Sequence, residues 1–346
     1  MTTLTKEEAD ERLAGKGFAR RLLMRPELGA LIGAVAVFAF FALRTDTFAT
    51  ASGIASFLDP SSTLGIVAVA VALLMIGGEF DLSAGVMTGS AALIVALLCG
   101  HYGWNLWAAI GVAVVLGLAV GLANGLLVIG TGLPSFIVTL GTFLALQGLN
   151  LGVSKEITNT VSVTIDKNAG GYDSAHYAFA STFTMFGTDF QASVLWWIVI
   201  ALLGSWVLLR TRAGNWIFGV GGDATAARGV GVPAARTKVA LFVTVSLAAT
   251  LAGVITALRF TTVQANQGVG LEFQYIIAAV IGGCLLTGGY GSVIGAAIGA
   301  LIFGMARVGL SYANIDDDWF NLFLGVLLLL ATLLNYFVRG RAEAAR

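Results

Sequence analysis

Polar positions are sparse along this chain, and they divide it into apolar runs long enough to cross a bilayer. Ten spans are predicted, near residues 28–43, 62–78, 84–99, 107–129, 135–151, 192–210, 238–258, 273–287, 291–310 and 319–338. A helix needs roughly 17–25 residues to cross the hydrocarbon core. A shorter apolar piece, Phe48 to Leu58, is stopped by Asp59-Pro60 ahead of the second span. Proline cannot continue a helical ladder, so this piece reads as a half-helix joined to the span after it. The expected fold class is an all-α, polytopic membrane protein of about ten transmembrane helices, with broken or half helices among them.

Composition agrees with that pattern. The chain is 58% hydrophobic and 11% charged, against about 25% charged residues in soluble proteins. Its 45 glycines suit close helix packing and broken helices, both tolerated in bilayers. Cys99 and Cys284 fall within apolar stretches and read as small packing residues, with no disulfide framework or metal site. Zero net charge gives no bulk attraction to nucleic acid. The N-terminus is charged and mixed, and no cleavable signal peptide is expected. Thr5 with Glu8 forms a capping box, so residues 1–27 read either as a tail with a short interfacial helix or as a solvated tail.

The basic residues set an orientation. The N-terminal tail, the polar glycine-rich segment 210–238 and the C-terminal tail carry six, five and three Lys/Arg respectively, 14 of the 19 in the chain. The ten-span layout puts these three regions on one side, and the positive-inside rule makes that side cytoplasmic. The expected organisation is a cytoplasmic tail 1–27, a transmembrane domain 28–338 with a cytoplasmic segment 211–237, and a cytoplasmic tail 339–346. On the outer side, residues 152–190 form the longest loop, with Tyr172, His176 and Tyr177. Asp316, Asp317 and Asp318 ahead of Trp319 read either as a receiving surface for a soluble partner or as a solvated loop with an interfacial anchor.

Candidate chemistry is confined to a few polar clusters. In GGEFDLSAG, residues 77–85, Glu79 and Asp81 lie between two apolar runs, where an acidic side chain is costly and functional by default. A helix break capped by Asp81 or Ser83 is the favoured reading for Asp81; Glu79 could face a water-filled vestibule. The fifth span opens TGLPSFIVTLGTF, with Pro134 in its first turn. Ser135, Thr139, Thr142 and Asn150 fall within an arc of roughly 80° at 100° per residue, a polar stripe suited to lining a translocation path. Phe136 and, in the fourth span, Asn124 are grouped with that path, although Asn124 and Gln147 read also as interhelical hydrogen-bond partners. Gln264, Asn266 and Gln267 cluster on the outer side. The loop GGCLLTGGYGS, residues 282–292, repeats the Ile-Gly-Gly of 76–78 at 281–283, too short a match to establish a repeat. In the cytoplasmic segment Asp223 is an N-cap for a short helix Ala224–Arg228, with Ala227 inside it and Gly229 as its stop. No G-x-x-x-x-G-K-[ST] occurs, so ATP binding by a P-loop is not expected. GVGGDA lacks the strand–turn–helix setting of a dinucleotide site, and two histidines give no metal cluster or triad.

Taken together these motifs resemble the permease subunits of ribose-type ABC monosaccharide importers, within the branched sugar and amino-acid permease superfamily, over nearly the whole chain after residue 28. GEFDLSAG, LPSFIVTLGT, GGCLLTGGYGS and GNWIFGVGGDATAARGVGVP are similar to that family's elements, in the same order. Asp223 stands where the family often has Asn, and Val86 where Ser is frequent. The resemblance implies a vitamin-B12-importer-like topology in the cytoplasmic (inner) membrane and pairing as a homodimer. It also implies a soluble substrate-binding protein outside, and an ATP-binding ABC subunit inside that docks on Asp223, Ala224, Ala227, Arg228 and Gly229. No cofactor and no covalent chemistry are implied. Two other readings stand beside it: an ion-coupled secondary transporter using Glu79 or Asp81, and a non-transporting scaffold.

Overall fold

A computed structural model of the chain describes residues 26–316 and 318–344. The interfacial helix expected near Thr5–Glu8, and Asp317 of the acidic cluster, lie outside the described residues. The helices in chain order are α1 Pro26–Arg44, α2 Ala51–Ile76, α3 Ala84–Ala96 continued by a π-turn Leu97–His101, α4 Leu106–Thr131, α5 Ser135–Thr158, α6 Tyr172–Ala180, α7 Ser193–Arg210, α8 Arg212–Gly222, α9 Ala224–Gly229, α10 Ala234–Phe260, α11 Leu271–Ile281, α12 Val293–Tyr312 and α13 Trp319–Ala344. Four short strands make two antiparallel pairs: β1 Ser162–Thr164 with β4 Thr262–Gln264, and β2 Thr182–Met185 with β3 Thr188–Gln191.

Among the described residues, eight helices are long and apolar enough to cross a membrane, and two shorter apolar stretches, Leu271–Ile281 and Trp319–Leu333, accompany them. The chain is an all-α, multi-pass membrane protein. The expected span at 273–287 is corrected by the structure. α11 has eleven residues, about 16 Å of rise, which is half of a hydrocarbon core about 30 Å thick. The expected end of the last span at 338 is also passed, since α13 runs to Ala344.

The half-helix before Asp59-Pro60 and the second span form one continuous helix, α2, with Pro60 inside it. Hydroxyls flank the proline: Ser61 Oγ donates to the Phe57 carbonyl at 2.6 Å and Ser62 Oγ to that of Asp59 at 2.7 Å.

α2 and α3 form the centre, with 78% of each spanning window buried, whereas only 17% of the α5 window is covered by its own chain. α10 packs along α2, α3 and α4. Its contact with α4 depends on three glycines one turn apart: a Cβ at Gly117 would meet Thr250 Oγ1 at 2.3 Å, at Gly121 the Val243 Cα at 2.6 Å, and at Gly125 the Val239 Cα at 2.9 Å. Small residues let the backbones approach where lipid offers no hydrophobic drive to associate.

The short Ile-Gly-Gly echo corresponds to a repeated helix terminus. After α2, Gly78 has φ +82 and donates to the Met75 carbonyl at 2.9 Å, and Glu79 N donates to Leu74 at 3.2 Å. After α11, Gly283 has φ +92 and donates to Val280 at 2.9 Å, and Cys284 N donates to Ala279 at 3.0 Å. Both are Schellman ends with glycine in the left-handed position. Each releases a non-helical segment that leads into the next helix, α3 or α12.

Candidate functional site

The segment between α2 and α3 has lost its helical ladder, and neighbouring side chains take up its backbone. Phe80 N donates to Ser135 Oγ at 3.0 Å, and Leu82 N donates to Thr139 Oγ1 at 3.1 Å. Asp81 Oδ1 accepts from Ser83 N at 2.8 Å and from Ser83 Oγ at 2.6 Å. Asn124 Nδ2 donates to Ser83 Oγ at 2.9 Å, and Asn124 Oδ1 accepts from Thr142 Oγ1 at 2.6 Å. An unwound backbone in a dry environment needs such partners, because an unmet amide is expensive there.

The predicted polar stripe of α5 is therefore turned toward the break. Ser135, Thr139 and Asn150 are buried and Asn124 is fully enclosed, while Phe136 is 53% exposed on the outward face of α5. Asn150 lies farther along the same stripe, and its Nδ2 has no partner. The expected side-chain cap is not formed: Ser83 is the N-cap residue of α3 but makes no capping bond, and Asp81 binds Ser83 ahead of the helix. Asp81 Oδ2 is buried without a partner.

Glu79 pairs with Lys238 in the first turns of α10. The pair forms one wall of a 340 Å³ pocket that Arg228, Ala224, Gly132, Leu133 and Pro134 also line. A second ion pair, Asp59 with Arg259, joins α2 near its proline to the last turn of α10. On α10 the two cations are about 31 Å apart along the axis, close to the thickness of a hydrocarbon core. Sequence reading had each of these charges but not their pairing. The available signal was that opposite charges sit at matching ends of two apolar runs.

The polar segment 210–238 folds into two helices where one was expected. Thr211 Oγ1 caps α8 by accepting from Gly214 N at 3.4 Å. Asp223 caps α9, its Oδ1 accepting from Thr225 N at 2.8 Å and Ala226 N at 3.0 Å. These bonds from Ala226 and Thr225, and then the nearby Arg228 charge, hold the Asp223 carboxyl below the usual aspartate range. Ala227 is buried, packing with Val220 and Ala234, while Arg228 is exposed and its guanidinium donates to Thr225 Oγ1 at 3.2 Å. The expected stop is shifted: Gly229 is the last helical residue, and the left-handed glycine is Gly231, at φ +85.

Three motifs that are far apart in sequence meet here at backbone distance. Gly289 N, in the late glycine-rich loop, donates to the Ile76 carbonyl at the end of α2 at 2.8 Å. Between them lies Gly221 of α8, where a Cβ would fall 1.7 Å from that carbonyl and 2.7 Å from Gly289 N. Gly288, at φ +78, faces the Gly221 carbonyl and the Gly78 Cα. The end of α8 is thus wedged directly against both broken segments, and only glycine fits.

The family model for "Branched-chain amino acid transport system / permease component" matches residues 53–332. Among curated relatives, the ribose import permease protein RbsC of Escherichia coli (strain K12) is 29% identical over 92% of this chain and 95% of its own length. The xylose transport system permease protein XylH of the same strain is 30% identical over 94% of this chain and 96% of its own. Its inner membrane ABC transporter permease protein YjfF is 30% identical over 82% and 83% respectively. No solved structure gives a significant match. With the matched region extending from α2 into α13, the chain belongs to the branched-chain amino acid transport system permease component family.

Proposed function

We propose that this chain is the membrane-spanning subunit through which an ABC importer moves a monosaccharide or polyol across the cytoplasmic membrane by alternating access. The observation that carries the reading is the glycine wedge. It gives a capped helix at the end of the bundle, α9, a rigid mechanical route through α8 to both helix breaks. ATP hydrolysis belongs to a separate ATP-binding subunit that docks on Asp223, Ala224, Ala227, Arg228 and Gly229. Both termini and residues 211–237 face the cytoplasm in this reading, and a soluble substrate-binding protein delivers the sugar from the opposite side. The likeness to ribose and xylose permeases supports the substrate class.

Residues 28–338 act as one permease domain, and two copies associate through the faces that a single chain leaves open. The α4 and α5 faces bearing Leu126, Phe136, Leu140 and Leu144 are exposed in one copy, which supports a dimer with the path between subunits. In that arrangement Ser135, Thr139, Thr142 and Asn124 hold the pathway wall by fixing the break behind it, Asn150 continues the same face of α5, and Phe136 faces the path. The ion-coupled alternative is not supported by the acidic motif: Glu79 is neutralised by Lys238, and Asp81 is tied to Ser83.

An uptake screen of pentoses, hexoses and polyols in a strain deleted for this chain tests the proposal. Restoring the chain should return uptake of one sugar class. Uptake unchanged by the deletion would leave a non-transporting role.

A further inference from the structure

A 700 Å³ groove opens between α7 and α10 on the side away from α4, with α2 at its back and α8 across one end. Its lining is almost wholly apolar and includes the small residues Gly204 on α7 and Ala240 and Ala248 on α10. Along α10 it runs from Arg236 to Leu251, about 22 Å of rise, roughly three quarters of a hydrocarbon core about 30 Å thick. Close-packed matter does not leave such a slot empty. Its volume falls in the range of small-ligand sites, about 300–1,000 Å³.

The chemistry changes at one end only. There the groove is rimmed by Trp216 of α8 and Arg236 of α10. Indole and guanidinium groups are at home at headgroup depth. Arg236 is exposed and makes no ion pair among the described residues, and Arg210 and Arg212 are likewise exposed and unpaired at the same end of the bundle. A long apolar slot with an unpaired cation at its mouth matches a lipid with an anionic head.

We propose that this groove binds one acyl chain of an anionic glycerophospholipid from the leaflet at the α8–α9 end, with its phosphate at Arg236. The site is separate from the helix breaks and the docking helix, and its test does not depend on transport. The full-length permease is reconstituted in phosphatidylcholine nanodiscs containing photoactivatable phosphatidylglycerol or, separately, photoactivatable phosphatidylcholine, and labelled peptides are mapped. The anionic probe should label residues around Val207, Ala240 and Leu251 several-fold more than the outward face of α1, where Ile32, Val35 and Leu43 are exposed. Arg236→Gln should lower labelling by the anionic probe several-fold with little change for the zwitterionic one, and Ala240→Trp should lower both. Equal labelling of groove and α1 face, indifference of the anionic probe to Arg236→Gln, or crosslinks to a second permease copy in the groove would each overturn the proposal.

Discussion

Glu79 shows how a single residue can look like a transport site in sequence and act as a strut in the fold. An acidic side chain between apolar runs demands an explanation, and Lys238 supplies it by pairing across two helices. Both groups keep some exposure, at 10% and 17% of the side chain, so the interaction is screened below that of a fully enclosed pair. A double-mutant cycle with Glu79→Gln and Lys238→Met should give a coupling within about 0.5–3 kcal/mol, read from thermal unfolding in detergent. Strict additivity would show that the two side chains do not meet. Asn124 is the buried counterpart: it joins Ser83 to Thr142 with both ends of its amide. Asn124→Leu removes both bonds and leaves Ser83 Oγ with Asp81 and Thr142 Oγ1 with the Val138 carbonyl, and the expected loss is about 1–3 kcal/mol of stability, measured in the same assay. Unaltered stability would remove Asn124 from the support of the break.

At the scale of elements, the short helix α9 concentrates the functional prediction. Replacing residues 224–228 with a Gly/Ser linker should abolish copurification with an ATPase partner while the permease still inserts; retained copurification and uptake would refute the docking role. Asp223→Asn should keep the association, because asparagine caps equally well, and Asp223→Ala should weaken it. The Asp223 carboxyl titrates below the ordinary aspartate range in the folded state. Its charged cap is therefore complete above that range and is lost only as pH falls through the lowered value. The stability difference between wild type and Asp223→Ala should persist at mildly acidic pH and vanish only below it.

Elements with a clear period or a local cap were legible from the sequence: most spans, the Asp223 cap, and the absence of a P-loop. What escaped depends on contacts distant in sequence. Gly282 and Gly283 end α11 early by a Schellman turn, so an apolar run of full length became a half-helix. α8 was hidden because RAGNWIFGVGG contains four glycines, and its order comes from packing against α7 and α10. The α5 stripe was placed correctly as one face, but periodicity cannot say whether a polar face meets a path or a neighbouring backbone. The β1–β4 pair joins residues about a hundred positions apart, beyond any local signal.

At the scale of the whole molecule, the Asp59–Arg259 pair joins α2 to the end of α10, the Glu79–Lys238 pair joins the break after α2 to the start of α10, and the glycine wedge ties α8 to both breaks. Gly221→Ala places a methyl group onto the Ile76 carbonyl. Such overpacking costs about 1–3 kcal/mol, and the backbone must move to relieve it. That variant should still bind the ATPase through α9 yet lose most uptake, separating docking from transmission. Normal uptake by Gly221→Ala would mean that motion does not pass through the wedge.

The central claim is that transport through this chain is driven by ATP hydrolysis on another subunit. The most direct measurement reconstitutes the permease in proteoliposomes, alone and with its ATP-binding and substrate-binding partners, and follows accumulation of the sugar that the uptake screen identifies. Accumulation that requires the partners and ATP, and that ignores proton and sodium gradients, is the predicted result. Accumulation by the permease alone under an ion gradient would contradict the account.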